Sequence, residues 1–259
     1  MARKIVVSTN KGGVLKTSIS VNLAGLLSRE NKKVLLVDTD NQGNVILSFG
    51  QNPDNIEISI FDILIGEKDI KKAIQKNVVK NIDILPSNDD MNNFEVVVLK
   101  NIKQYPEPFK LLQRKLNEVE HLYDYIIIDT PPNLGLVQGI AVTAADEVII
   151  PFQPENYSMR SLVKILNFIN EFKEDNINPN LKVLGVIGTL VDLRTTLHTE
   201  VLEECRKFCY ENNIHMFETV IPRAIRYANS IAYEGLPATL TEKNNELIKS
   251  YIDLRSELN

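Results

Sequence analysis

Short apolar runs alternate along this chain with stretches in which apolar residues recur every three or four positions. Lys4-Ile5-Val6-Val7-Ser8, Val34 to Val37, Ile82 to Leu85, Tyr125 to Ile128, Val148 to Ile150 and Val183 to Ile187 have strand length and little polar interruption, as strands buried on both faces do. Between them Ile19, Leu23, Leu26 and Leu27 keep helical spacing from Lys16 onward, and Phe109 to Val119 and Leu162 to Phe172 do the same. Strands that alternate with helices, without hairpin signals, predict an α/β fold: a mostly parallel, doubly wound sheet with helices on both faces and right-handed crossovers. The last third predicts a helix around Val201 to Tyr210, a short strand at Thr219 to Ile221 and a terminal helix from Thr241 to Leu258. Residues 51 to 80 mix Ile58-Ser59-Ile60-Phe61 with the polar Gly66-Glu67-Lys68-Asp69 and are read as short helices.

At 259 residues and 44% apolar content the chain can bury a full core. No Gly/Ser-rich linker, low-complexity tract or repeat breaks the alternation, so residues 1–259 are expected to form a single domain. Met1-Ala2-Arg3-Lys4 runs straight into a stretch too short for a signal peptide, and no run reaches membrane length, which gives the expectation of a cytoplasmic protein. Cys205 and Cys209 lie four apart on a helical pattern and read as small apolar helix residues, while His121, His198 and His215 are scattered. The net charge of −5 excludes a surface coated in basic residues, so any DNA contact has to come from a local patch.

Directly after the first strand comes Lys11-Gly12-Gly13-Val14-Leu15-Lys16-Thr17-Ser18, opening the first helix. Gly12 and Gly13 let the main chain turn its N–H groups inward around an anion, and the helix start adds its positive end. Lys16 can reach the β- and γ-phosphates of a nucleotide, and the Thr17 hydroxyl can ligate Mg²⁺. Phosphate loops usually carry glycine before that lysine, often at positive φ; here it is Leu15, which costs about 1–2 kcal/mol if the backbone is left-handed.

Two strands end in acids: Asp38-Thr39-Asp40-Asn41-Gln42-Gly43-Asn44 and Ile128-Asp129-Thr130-Pro131-Pro132. Ligands of open parallel sheets sit beyond the carboxyl ends of the strands, which converges these acids on the phosphate loop. Asp129 then suits a carboxylate that holds Mg²⁺ through a water, Asp40 is free to orient or activate the attacking water, and Asp38 supports the Mg²⁺ shell.

These residues resemble the deviant Walker A family of partition ATPases, the ParA/Soj type with MinD as a cousin, over nearly the whole chain. The pattern is a lysine before two glycines, a second lysine, then Thr or Ser: Lys11, Gly12-Gly13, Lys16 and Thr17. Pro154-Glu155-Asn156-Tyr157-Ser158 matches a further segment, with Arg160-Ser161 where a glycine is usual, and Thr219 to Arg226 resembles the stretch near the nucleotide base. The resemblance implies that Lys11, Lys16 and Asp40 are catalytic. It assigns nucleotide contact to Lys11 through Ser18 together with Pro222 and Arg223, and DNA contact to Arg194, Arg223 and Arg226. It further implies a homodimer closed over two ATP·Mg²⁺, with each Lys11 reaching the partner's phosphates. That dimer binds DNA without sequence preference, associates with the nucleoid, and is reset by hydrolysis stimulated by a ParB-type centromere-binding protein.

Three other readings stay open at this stage. A MinD-like membrane-associated regulator needs a basic amphipathic tail, whereas acids interleave with bases from Glu246 to Asn259. A small-molecule enzyme such as an amide ligase, or an iron protein, needs a second pocket or cysteines at the dimer seam. A nucleotide-gated DNA-binding scaffold with negligible turnover has no chemical need for Asp40.

Overall fold

Along Arg3–Val7 (β1), successive side chains enter opposite faces of a sheet: Val6 packs into one core, Ile5 and Val7 into another. The same alternation splits Leu35 and Val37 from Val34 and Leu36, and Ile126 and Ile128 from Ile127. Both faces are therefore buried, which is why these strands read as continuous apolar runs. The computed structural model describes residues 1–66, 68–223, 234–241 and 248–258.

The first half places α1 (Lys16–Arg29), β2 (Val34–Asp38), α2 (Asn44–Leu47), α3 (Ile60–Leu64), α4 (Ile70–Ala73), β3 (Gln75–Val79), β4 (Ile82–Leu85) and α5 (Phe94–Lys100). The second half continues with α6 (Leu111–Asn117), β5 (Tyr125–Asp129), α7 (Leu136–Ala144), β6 (Glu147–Phe152), α8 (Ser158–Glu174), β7 (Lys182–Val191), α9 (Thr196–Glu211) and β8 (Met216–Pro222). Two short pieces follow, α10 (Ala238–Thr241) and α11 (Lys249–Glu257).

One eight-stranded sheet has the order β3-β4-β2-β5-β1-β6-β7-β8. Every neighbouring pair is parallel except β3 and β4, so the expected doubly wound α/β sheet is the one observed. α1 and α11 cover one face, where Ile19, Leu23 and Leu27 meet Tyr251 and Leu254. α6, α7, α8 and α9 cover the other through residues such as Leu112, Ile140, Ile165 and Leu202.

The structure departs from the sequence expectation in residues 51 to 80 and describes the terminal helix only in part. Short helices are present in the first stretch, but it ends in the edge strand β3, and Lys80-Asn81 closes a hairpin to β4 with Asn81 left-handed at φ 63. The strand is hard to see in sequence because Lys76 and Asn77 both face solvent and Asn77 is itself left-handed at φ 51, which breaks the period of two. The terminal helix is described from Lys249, and residues 242–247 of the expected span lie outside the described residues. That helix is packed on the sheet: the Tyr251 hydroxyl lies 2.8 Å from Ser18 Oγ, and Glu257 accepts the Glu218 amide at 2.8 Å. Among the described residues no helix is long and apolar enough to cross a membrane. Cys205 and Cys209 are buried on one face of α9, as their spacing suggested.

Candidate nucleotide-binding site

The parallel register brings the strand-end acids together. Asp38 and Asp129 are direct neighbours across β2 and β5, and Asp129 is also aligned with Val7, the last residue of β1. The loop from Ser8 to Leu15 leaves β1 at this edge and enters α1. Gly13 takes φ 72, and a Cβ at that position would meet no atom within 4 Å, so the cradle is open to the approach of an anion. Leu15 is left-handed at φ 68, ψ 24, so the strained conformation anticipated there is adopted by a branched side chain. It offers α1 no side-chain cap, which leaves the first-turn amides to a ligand.

A cleft of about 490 Å³ opens over this loop, lined by Gly12 through Ser18 on one side and by Asp40, Asn44, Leu47, Ser48 and Pro132 on the other. Lys16 is only 7% exposed and donates from Nζ to the Lys11 carbonyl at 3.1 Å. Burial pushes its ammonium below the ordinary lysine value, and the charges of Asp129 and Asp40 counter part of that effect. A largely buried cation beside an anion-shaped cradle suits a phosphate chain.

Thr17 Oγ1 donates to Asp129 Oδ2 at 2.5 Å, and Ser20 Oγ donates to Asp129 Oδ1 at 3.0 Å. Burial pushes the Asp129 carboxyl up to about 6, against the hydrogen bonds of Thr17 and Ser20 and the charge of Lys16. Thr17, which lines the cleft, is thus joined to Asp129, a hydroxyl and a carboxylate of the kind a hard cation takes. Among the described residues no group of three or more His, Cys, Asp or Glu could hold a metal by itself. This donor set suits Mg²⁺, which keeps waters and phosphate oxygens as most of its ligands, rather than a metal caged by protein.

Asp38 is fully buried, and both of its oxygens accept main-chain amides, from Asp40 at 3.0 Å and Val45 at 2.9 Å. Burial and then the negative charge of Asp129 hold its carboxyl well above the usual range. Asp38 therefore fixes the turn that carries Asp40, while Asp40 reaches the cleft wall and accepts the Gln42 amide at 3.2 Å.

Lys11 stands apart on the rim. Its Nζ donates to Glu155 Oε2 at 2.7 Å and to Ser158 Oγ at 3.3 Å, at the start of α8. Pro222 and Arg223 are not in the cleft lining; β8 lies three strands from β1, about 14 Å at ordinary strand spacing. Arg194 follows β7 and is 89% exposed in its side chain, with its guanidinium bidentate on Asp192 at 2.8 and 2.7 Å. Arg223 is exposed at the end of β8, and Arg226 lies outside the described residues.

Sequence reasoning missed Ser20 and the pairing of Glu155 with Lys11. Ser20 was within reach, since Thr17 and Ser20 are three apart and share a helix face. Glu155 was not, because its partner is 144 residues away.

A phosphate cradle opening α1 at the carboxyl edge of a doubly wound sheet makes this a P-loop nucleoside triphosphatase. A family model described as an AAA domain matches residues 2–183. The sporulation initiation inhibitor protein Soj of Bacillus subtilis (strain 168) is 35% identical over 258 residues, covering 100% of this chain and 98% of Soj. A putative plasmid partition protein from Borrelia burgdorferi B31, solved with AMPPNP, matches with a TM-score of 0.81 at 27% identity over 99% of this chain and 98% of that one. A cobyrinic acid a,c-diamide synthase from Mycobacterium smegmatis, solved with an ATP analog and magnesium, matches with a TM-score of 0.82 at 29% identity over 99% of this chain and 92% of that one. The chain belongs to the ParA/Soj family of partition ATPases, and it is an ATPase that uses ATP with Mg²⁺.

Proposed function

We propose that this ATPase is a nucleotide-driven switch that segregates DNA: ATP closes two copies face to face, the dimer holds DNA without sequence preference, and hydrolysis releases it. The observation that carries the reading is the division between the two loop lysines. Lys16 is buried in its own cleft, whereas Lys11 is on the rim in an ion pair whose lysine side chain is 27% exposed. A rim lysine is available to a triphosphate on a second subunit, which a buried one is not.

Within one subunit, the amides of the Gly12–Thr17 loop and Lys16 bind and orient the phosphates. Thr17 would hold Mg²⁺ directly and Asp129 through a water; the ion supplies neutralisation of phosphate charge. Asp40 orients the attacking water and accepts its proton, and Asp38 keeps Asp40 in position through the amides it binds. Pro222 and Arg223 contact the base end of the nucleotide. The single sheet supports reading residues 1–259 as one ATPase domain.

Arg194, Arg223 and Arg226 contact DNA phosphates, with Arg194 exchanging Asp192 for phosphate; pairing two subunits doubles a patch that the acidic chain otherwise lacks. The protein is cytoplasmic, joins the nucleoid in its ATP state, and responds to a ParB-type partner. Arg194→Ala is expected to lose most DNA retention at about 50 mM salt while keeping nucleotide-dependent dimerisation, as read by DNA electrophoretic shift and sedimentation velocity. Undiminished retention by Arg194→Ala would contradict that assignment.

A further inference from the structure

A second concavity, of about 530 Å³, lies on the face covered by α5, α7 and α8, and shares no lining residue with the phosphate cleft. Two parallel stripes bound it. From α5 and the turn after it come Glu95, Val98, Leu99 and Ile102; from α8 come Phe168, Glu171, Phe172 and the Asp175 that follows it. Glu95, Val98 and Leu99 share one side of α5, and Phe168, Glu171 and Phe172 one side of α8, with Ile102 and Asp175 extending the lining just past the helix ends. Its floor is aromatic: Phe172 packs edge-on to Phe109 with ring centres 5.0 Å apart and lies 4.7 Å from Phe168.

Leu99 is 67% exposed and Ile102 48%, an apolar lip that water covers at a free-energy cost. Among the described residues the lining carries three carboxylates, Glu95, Glu171 and Asp175, and no cation. We propose that this groove docks a cationic amphipathic helix belonging to a partner protein, its apolar stripe on Leu99, Ile102 and the Phe floor and its Lys or Arg residues on the three acids. An acidic lip opposes an anionic bilayer, and a second copy of the same lip would place like charges together.

The groove is wired to the nucleotide site. Glu95 Oε1 accepts the Leu136 amide at 2.7 Å, at the first residue of α7. The segment leading there starts at Asp129 and includes Pro132, which walls the phosphate cleft. A helix seated on Glu95 bears on that segment, so helix and nucleotide change each other's affinity by the same factor.

The proposal goes beyond the partition reading and does not depend on it, because the test uses neither DNA nor turnover. Fluorescence anisotropy with the full chain would compare a labelled Leu/Lys amphipathic peptide of about 18 residues with its Leu/Glu counterpart. The Leu/Lys peptide should bind, Leu99→Asp and Ile102→Asp should each weaken it about tenfold or more, and Glu171→Lys about fivefold with strong salt dependence. Saturating Mg²⁺ and a non-hydrolysable ATP analogue should shift its affinity about threefold or more. Leu99 and Ile102 are exposed, so unchanged thermal melts are expected; Glu171→Lys serves where an aspartate variant misfolds. Equal binding of the two peptides, or of wild type and the variants, overturns the docking site. Binding to phosphatidylserine vesicles or nucleotide-free self-association, either one abolished by Leu99→Asp in a chain that ignores the peptide, overturns the assigned occupant. Affinity indifferent to nucleotide overturns the coupling.

Discussion

Two lysines five residues apart in one loop have opposite surroundings. Lys16 is enclosed, held on a main-chain carbonyl, and depressed by burial in its affinity for a proton. Lys11 lies on the rim against Glu155, whose side chain is 41% exposed and whose carboxyl the Lys11 hydrogen bond holds below its usual value. The difference teaches where organisation is built in and where it is left to exchange. Around the enclosed lysine, contacts to two buried carboxylates fix the cleft: Thr17 and Ser20 on Asp129, and the turn of Asp40 on Asp38. The group that would act between subunits is held by a partly exposed ion pair, worth about 0–1 kcal/mol, and a longer hydrogen bond to Ser158. On the proposed reading, a triphosphate on a second copy would outcompete these contacts without disturbing the cleft.

The largest effect that would break this contrast comes from the enclosed side. Lys16→Ala should abolish ATP binding by calorimetry, whereas Asp40→Ala should keep binding and lower turnover about 100-fold or more, measured as phosphate release with DNA present. Retention of turnover by Asp40→Ala would remove its assigned role. Next comes the rim: Glu155→Gln removes the counterion of Lys11 and should strengthen analogue-dependent dimerisation by about two- to fivefold, read by sedimentation velocity. Weaker dimerisation would instead make Glu155 part of the interface.

The smallest effect sharpens the loop itself. Gly13→Ala meets no neighbour within 4 Å, so its cost is backbone strain alone, about 1 kcal/mol in urea melts of the nucleotide-free protein. Leu15→Gly relieves similar strain but gives up the packing of a half-buried side chain, and should change stability by less than about 1 kcal/mol.

How legible these features were depended on how local their causes are. The parallel strands were readable because burial on both faces leaves a continuous apolar run, and the loop because its glycines, lysines and hydroxyl are contiguous. The left-handed Leu15 follows from its place before Lys16, and φ 68 is what the structure has. β3 escaped because it is a polar edge strand set by pairing with β4 rather than by its own pattern. Asp38 was expected to support the Mg²⁺ shell; what the sequence did not show is that each of its oxygens also accepts a main-chain amide that only the folded turn brings near. The stripes of the groove between α5 and α8 lie some 70 residues apart, and neither suggests the other until the sheet sets them side by side.

Closure of two copies through Lys11 is the central claim, and sedimentation velocity with Mg²⁺ and a non-hydrolysable ATP analogue tests it most directly. Wild type should sediment as a dimer and Lys11→Ala as a monomer, with calorimetry showing the analogue bound to both. A wild-type monomer with the analogue bound, or a Lys11→Ala dimer as tight as wild type, would contradict it.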